Sequence, residues 1–154
     1  MKRSERLRVL TRLTDSAERL ARIQLAKANQ DVQRKKEQQR QLVSYASEYQ
    51  QSLVRAGEAG LTGAQLSRYQ LFIGSLDKTI ETQQLAVQRS QQQAGQSTAI
   101  WQAQRNRQRV FDDLVERARG DEQIDENRRE QRAMDELGTQ RHQRIQRSQS
   151  EDEL

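Results

Sequence analysis

The sequence predicts an all-α protein, a long antiparallel two-helix coiled-coil hairpin in which the second helix is longer than the first. Three observations lead to this prediction. The chain of 154 residues contains no proline, the residue that breaks helix interiors. Apolar residues recur every three and four positions over most of its length, which is the period of a coiled coil. One short segment, residues 57–62, interrupts that period and contains two glycines.

The composition excludes an ordinary globular core. Hydrophobic residues make up 32% of the chain, aromatic residues 4% and charged residues 32%. Such a balance can indicate disorder, but sustained heptads favour helices that bury a narrow seam against a partner. We expect a single coiled-coil domain over residues 1–154, composed of helix one at about 4–56, a turn at about 57–62, a paired part of helix two at about 63–119, and an overhanging or frayed charged segment at 120–154.

The first helix carries an apolar stripe whose phase changes once. Ser4, followed by Glu5, is predicted to cap the helix N-terminus with its hydroxyl oxygen. The stripe then consists of Leu7, Leu10, Leu13, Ala17, Leu20 or Ala21, Leu25, Ala28, Val32, Lys35, Gln39, Leu42, Ala46, Tyr49 and Leu53. The slip of about one residue near Leu20 predicts a stutter, which is a local change in the supercoil.

The turn between the helices has its own sequence signals. Gly57 and Gly60 permit the positive φ values that end a helix. Thr62 and Gln65 then have the spacing of a capping box, which starts the second helix. A turn centred near residue 59 predicts these facing pairs: Leu53 with Leu66, Tyr49 with Tyr69, Ala46 with Ile73, Leu42 with Leu76, Val32 with Val87, Ala17 with Trp101, and Leu7 with Phe111.

The second helix has the more regular seam. Its members are Leu66, Tyr69, Ile73, Leu76, Ile80, Gln83, Val87, Ser90, Ala94, Ser97, Trp101, Gln104, Gln108, Phe111, Val115 and Ala118. Beyond about Val115 the first helix has no residue left to face it. We therefore expect the remainder to be either a single overhanging helix held by i,i+4 charge pairs or a partly disordered segment.

The sequence contains no set of residues with the spacing of a catalytic or metal site. There is no cysteine, the glycines are dispersed, and the only histidine, His142, lies in a charged stretch. An extended hairpin has no concave pocket in which to hold a substrate. We expect neither enzymatic activity nor a cofactor. No apolar run is long enough to span a membrane and no signal peptide is recognisable, so we expect a cytoplasmic protein.

Aromatic residues lie beside the seam rather than in it. Tyr45 is next to Ala46 and Phe72 is next to Ile73, which places both rings on one flank of the predicted hairpin. The same flank includes Gln38 and Thr79, with Leu42, Leu76 and Gln83 at its seam edge. The rings could simply widen the apolar stripe. Because a two-helix hairpin has no third layer to cover them, we favour a binding surface.

Two segments carry a family resemblance. The first is Leu42-x-x-Tyr45-x-x-Glu48-Tyr49-x-x-x-Leu53, and the second, after the glycine turn, is Tyr69-Gln70-x-Phe72-Ile73-x-x-Leu76-x-Lys78-x-Ile80-Glu81. With Trp101, Glu126-Asn127-Arg128 and Met134-Asp135-Glu136 downstream, they resemble the FliJ family of the flagellar type III export apparatus. The resemblance covers nearly the whole chain.

The resemblance implies a function and a set of partners. Members of the family are coiled coils similar to the central stalk of rotary ATPases. They associate with the hexameric export ATPase, the cytoplasmic domain of the export gate and export chaperones, which implies a cytoplasmic protein peripheral to the inner face of the cell membrane. The residues implied to face the gate are Gln38, Leu42, Tyr45, Tyr49, Phe72, Leu76, Thr79 and Gln83. The part implied to enter the ATPase ring is around Arg3 to Leu13 and Val110 to Asn127.

Three other functions are compatible with a coiled-coil hairpin. One is the equivalent stalk of a virulence-type secretion system. Another is a basic nucleic-acid binder, since the net charge is +5; acidic residues interspersed among the arginines argue against it, and we expect no nucleic acid. The third is a homodimeric scaffold in which two hairpins pair through the aromatic flank into a four-helix bundle.

Overall fold

A computed structural model describes residues 1–152 of the chain, with side chains to residue 150. It contains two α-helices, α1 at Arg3–Ala59 and α2 at Gly63–Asp152, and no strand within the described residues. The two helices pack against each other in antiparallel directions, and the second is longer. The predicted fold class is therefore confirmed.

The chain forms two compact units, each containing a part of α1 and a part of α2. The turn unit is Ser16–Arg105 and includes the connection between the helices. The terminal unit consists of Met1–Asp15 and Asn106–Leu154.

The turn lies slightly later in the chain than predicted. Helix α1 continues through Gly57 and ends at Ala59, because Gly60 is the residue that adopts a positive φ of 97°. The predicted capping box is confirmed: Thr62 N donates to Gln65 Oε1 at 3.1 Å, and Gln65 N donates to Thr62 Oγ1 at 3.2 Å. The connection is centred near residue 61 rather than 59.

This later turn changes which residues face each other. Tyr49 does contact Tyr69, as predicted, with ring centroids 5.3 Å apart. Further from the turn, the Ser90 hydroxyl donates to Asp31 at 2.9 Å, whereas the predicted pairing would place Asp31 opposite residue 87 or 88. Other contacts keep the predicted register, since Gln83 bonds the Lys35 carbonyl and Trp101 bonds Glu18. The later turn therefore shifts the facing residues only in part.

The seam of α2 is confirmed in both units. In the turn unit it buries Leu76, Val87, Ser90 and Ala94, and in the terminal unit it buries Val115 and Ala118. Leu66 is the exception, since it is 40% exposed next to the turn.

The predicted stutter in α1 is wrong. The buried positions of this part of the helix are Ser4 and Thr14 in the terminal unit and Glu18 and Ala21 in the turn unit, all in the phase of the later seam. Leu10, Leu13 and Leu20 are consequently exposed, by 43%, 64% and 58%. The seam of α2 keeps one phase, and α1 cannot change phase alone without losing contact with it. Polar residues therefore occupy the α1 seam.

Ser4 does not have the predicted capping role. Its backbone N and its hydroxyl both donate to the Glu122 carboxylate, at 2.9 and 2.6 Å, so it links α1 to α2. The residue at the cap position is Lys2, whose carbonyl accepts hydrogen bonds from the backbone N of Glu5 and Arg6. The Glu5 side chain in turn accepts a hydrogen bond from Lys2 N at 3.1 Å.

Helix α2 continues without a break past Gly120. Lys2 pairs with Glu126 at 3.7 Å, and residues 127–150, which we call the overhang, are exposed throughout. The predicted i,i+4 charge pairs are wrong for this segment, because no ion pair forms within the overhang. Glu153 and Leu154, also part of the predicted charged segment, lie outside the described residues.

Candidate partner-binding site

Four aromatic rings lie together in the turn unit. Tyr45 and Tyr49 are four residues apart on α1, and Tyr69 and Phe72 are three apart on α2, so each pair shares one side of its helix. Tyr49 is central: its ring centroid is 4.3 Å from that of Phe72, 5.3 Å from that of Tyr69 and 6.4 Å from that of Tyr45. We call these four residues the aromatic cluster.

The aromatic cluster has a packed base and an exposed edge. Tyr49 and Tyr69 are seam residues and are half-buried. Tyr45 is 49% exposed and Phe72 is 37% exposed, and their rings meet edge to face at 82° with centroids 6.4 Å apart. Rings held in this way present apolar surface at little further cost in side-chain entropy. The exposed edge is therefore suited to binding another protein.

The leucines predicted for this site have a different environment from the rings. Leu76 is only 8% exposed and belongs to the core of the turn unit. Leu42 is half-buried on the α1 seam. Both residues lie in the seam between the helices, so a change at either would alter the packing of the helices as well as the surface.

The three predicted polar residues divide into two groups. Gln83 Nε2 donates to the Lys35 carbonyl at 3.0 Å and to Gln38 Oε1 at 3.3 Å, which joins the helices beside the seam. Thr79 donates to the Ser75 carbonyl of its own helix at 3.0 Å and is exposed. The structure thus brings Gln38 and Gln83 together, while Thr79 contacts neither of them by a hydrogen bond.

Sequence reasoning placed Tyr69 in the seam and not in the site. The structure places Tyr69 in the seam and also in the aromatic cluster, because its ring contacts that of Tyr49. Its spacing of three residues from Phe72 is the signal that could have identified it.

A second set of polar groups, along the seam, stabilises the pairing of the helices. In the turn unit, Arg22 Nε donates to Glu18 Oε1 at 3.1 Å, and this bond, with a second one from Trp101, lowers the pKa of Glu18. Hydrogen bonds from Lys35 and Ser90 lower the pKa of Asp31. In the terminal unit, the hydroxyl and backbone N–H of Ser4 lower the pKa of Glu122. These carboxylates are engaged within the hairpin.

No group of three or more potential ligands that could hold a metal ion occurs among the described residues. His142 is exposed, and its Nε2 atom lies 3.1 Å from Nε2 of Gln146 in the same helix. Over the same part of the chain, no helix is both long enough and apolar enough to cross a membrane.

Comparison with known proteins gives consistent matches. The family model described as "Flagellar FliJ protein" matches residues 2–147. A flagellar FliJ protein of Salmonella typhi is 28% identical over 123 residues, which cover 80% of this chain and 81% of that protein. A flagellar FliJ protein of Escherichia coli (strain K12) is 29% identical over 113 residues, covering 73% and 77%. No solved structure matches.

Proposed function

This chain belongs to the FliJ family and is a flagellar protein of the export apparatus, and from that premise we propose that it acts as a stalk-like coiled coil linking the hexameric export ATPase to the export gate. It would do so at the inner face of the cell membrane, during flagellum assembly and protein secretion, and would also assist export chaperones. A helical hairpin can transmit a change in one partner to another without itself performing chemistry.

The aromatic cluster carries the gate-binding part of the proposal. Tyr45 and Phe72 are large, exposed and held at fixed angles by Tyr49. Aromatic side chains anchored on a rigid element are the residues that most often dominate the energy of a protein interface. We propose that these two rings insert into an apolar groove of the gate's cytoplasmic domain.

The other predicted site residues have supporting roles in this proposal. Gln38 and Thr79 are exposed and would form polar contacts at the rim of the interface. Leu76 and Gln83 would hold α2 against α1, through core packing and through the bond to the Lys35 carbonyl.

The ATPase-binding part of the proposal concerns the terminal unit. Exposed apolar side chains occur there on both helices, with Leu10 and Leu13 on α1 and Val110 on α2, which is 56% exposed. They lie within the segments Arg3 to Leu13 and Val110 to Asn127. Isolated apolar residues are ordinary on a surface. In a chain with so few hydrophobic residues, however, exposed apolar side chains on two paired helices would be suited to contact an apolar surface inside the ATPase ring.

The experiment compares binding of the full chain to the export ATPase and, separately, to the gate's cytoplasmic domain by pull-down and calorimetry. The variants are Tyr45→Ala and Phe72→Ala. The control is Leu71→Ala, because Leu71 is 76% exposed and adjacent to Phe72 but makes no ring contact in the cluster. Circular dichroism of every variant measures whether the helices remain intact.

We expect Phe72→Ala to weaken gate binding by roughly tenfold or more while helix content and ATPase binding stay unchanged. Leu71→Ala should bind the gate as the unchanged chain does. Equal loss of helicity and gate binding would make Phe72 a core residue only. An unchanged chain that binds neither partner would overturn the stalk proposal itself.

A further inference from the structure

We propose that two copies of this chain associate through residues 121–150 of α2, in antiparallel directions, so that the acidic segment of one copy lies against the basic segment of the other. The acidic segment is residues 121–130 and the basic segment is residues 141–150, both in the terminal unit. This inference does not rest on the proposed function, since the partner is a second copy of the chain; residues 121–127 of the acidic segment also lie in the segment proposed to contact the ATPase.

The two segments carry opposite charges in separate blocks. The acidic segment contains five carboxylates, at Asp121, Glu122, Asp125, Glu126 and Glu130, against two arginines. The basic segment contains three arginines, at Arg141, Arg144 and Arg147, and no carboxylate. A helix with this order of charges is complementary to a second copy of itself only when the two run in opposite directions.

Charges within the overhang do not satisfy one another. Arg128 and Arg132 are four residues apart, and like charges at this spacing destabilise a helix, whereas Arg132 and Glu136 have opposite charges at the same spacing. Arg144 is three residues from both Arg141 and Arg147, which repel it in the same way. No ion pair forms within residues 127–150. The exposed charges of this helix are therefore available to a second molecule.

Apolar residues of the same region are also uncovered. Met134, Leu137 and Ile145 are 71%, 65% and 47% exposed. Met134 and Ile145 are eleven residues apart, which is close to three helical turns and places them on the same side of α2. Leu137 lies one turn from Met134 on the adjoining side. This stripe is narrow, and a single helix laid along it would cover it.

An antiparallel pair with its two-fold axis near residue 137 brings these features together. Leu137 would then lie opposite Leu137 of the second copy and within one turn of its Met134. Arg144 would lie opposite Glu130, and this contact occurs twice because the interface is two-fold symmetric.

Glu130 and Arg144 offer a direct test by charge reversal, since both are exposed and neither forms an ion pair or hydrogen bond in the hairpin. The variants of the full chain are Glu130→Arg, Arg144→Glu and the two combined. The control is Arg89→Glu, which changes the net charge as Arg144→Glu does but lies at an exposed position of the turn unit. The measurement is sedimentation velocity over a concentration series, at low and high salt.

We expect the unchanged chain to dimerise with a Kd below about 100 µM at low salt and to dissociate as salt rises. Each single reversal should raise Kd by roughly tenfold or more, because it places like charges opposite each other twice. The double variant should dimerise again, and so should an equimolar mixture of the two single variants, which restores both opposite-charge contacts in a heterodimer. Arg89→Glu should behave as the unchanged chain.

Two results would overturn the proposal. One is an unchanged chain that stays monomeric throughout the concentration series at low salt. The other is a reversal variant that associates as strongly as the control, which would mean that any dimer uses a different surface, such as the aromatic cluster. Gate and ATPase binding of these variants, measured by pull-down, reports on the proposed function separately.

Discussion

The indole Nε1 of Trp101 donates a hydrogen bond to Glu18 Oε1 at 3.0 Å, so the largest side chain of the α2 seam is joined to a carboxylate buried in the α1 seam. Arg22 binds the same carboxylate from α1, and Arg105 lies over the indole ring with its Cζ 5.2 Å from the centroid. A polar seam position is thus provided with a donor from each helix, which compensates the carboxylate for the loss of water.

Changing Trp101 to Phe tests the value of this contact. The ring would remain in the seam, but Glu18 would lose the hydrogen bond that it accepts from Trp101 of α2. We expect the free energy of unfolding to fall by about 1–2 kcal/mol. Urea unfolding followed by circular dichroism measures it, with Ile100→Val as a control at a neighbouring exposed position. Equal stability of Trp101→Phe and the control would show that the hydrogen bond contributes nothing net.

The three carboxylates of the polar seam predict a dependence of stability on pH. The pKa values of Glu18, Asp31 and Glu122 are lowered in the folded chain. Each carboxylate therefore contributes its full stabilisation at pH values above its pKa in the unfolded chain, which is near roughly 4. This stabilisation is lost as the pH falls through the lower pKa of the folded chain. We expect the thermal unfolding midpoint to be level near neutral pH and to fall below about pH 4. The Glu18→Gln variant should show a shallower fall, and a fall identical to that of the unchanged chain would contradict the assignment.

Among the residues that the structure describes, Gly60 is the one whose backbone needs glycine. Its φ of 97° lies in a region that other residues adopt only with strain, so Gly60→Ala should lower the free energy of unfolding by about 1–2 kcal/mol. Gly57→Ala is the matched control, because Gly57 lies inside α1 with open space around it. There alanine should stabilise the helix by up to about 1 kcal/mol. Thermal unfolding that changes in the same direction for both variants would contradict this account.

The buried hydroxyl of Thr14 predicts an increase in stability when it is removed. Thr14 is 7% exposed, and its hydroxyl donates only to the Thr11 carbonyl of its own helix at 2.8 Å. Thr14→Val keeps the shape of the side chain and removes a polar group from the seam. We expect a gain of about 1 kcal/mol in the free energy of unfolding. Thr139→Val, which removes a similar bond from the exposed overhang, should have almost no effect. A destabilised Thr14→Val would show that the hydroxyl has a role across the seam.

The α2 seam was predictable from sequence because every position from Tyr69 to Ala118 keeps one phase, and its few polar members do not interrupt it. The seam at the start of α1 was not predictable from sequence. Leu10 and Leu13 are apolar and were therefore assigned to the predicted stripe, although they do not lie in the phase of the seam. The phase is set by the partner helix, and the partners of Ser4 and Glu18 are 118 and 83 residues away. Their burial depends on contacts that no local pattern contains.

The candidate site was predictable to a similar extent. Tyr45 and Phe72 could be assigned to one flank because each is adjacent in sequence to a residue of the predicted seam. The position of Tyr49 at the centre of the aromatic cluster depends on the register between the helices, which a two-residue error in the turn is enough to change. The same error concealed the contact between Asp31 and Ser90.

The position of the capped turn also has a consequence for how the hairpin forms from an unfolded chain. Bringing Tyr49 to Tyr69 closes a loop of about 20 residues, whereas bringing Ser4 to Glu122 first would close one of 118. By the logarithmic dependence of loop entropy on length, the second event costs about 1.5 kcal/mol more. Folding should therefore begin beside Gly60. Pairing of the two helices should then spread away from the turn, one helical turn of α1 after another. The aromatic rings would serve as the nucleus, and the chain termini would be the last to join and the first to open.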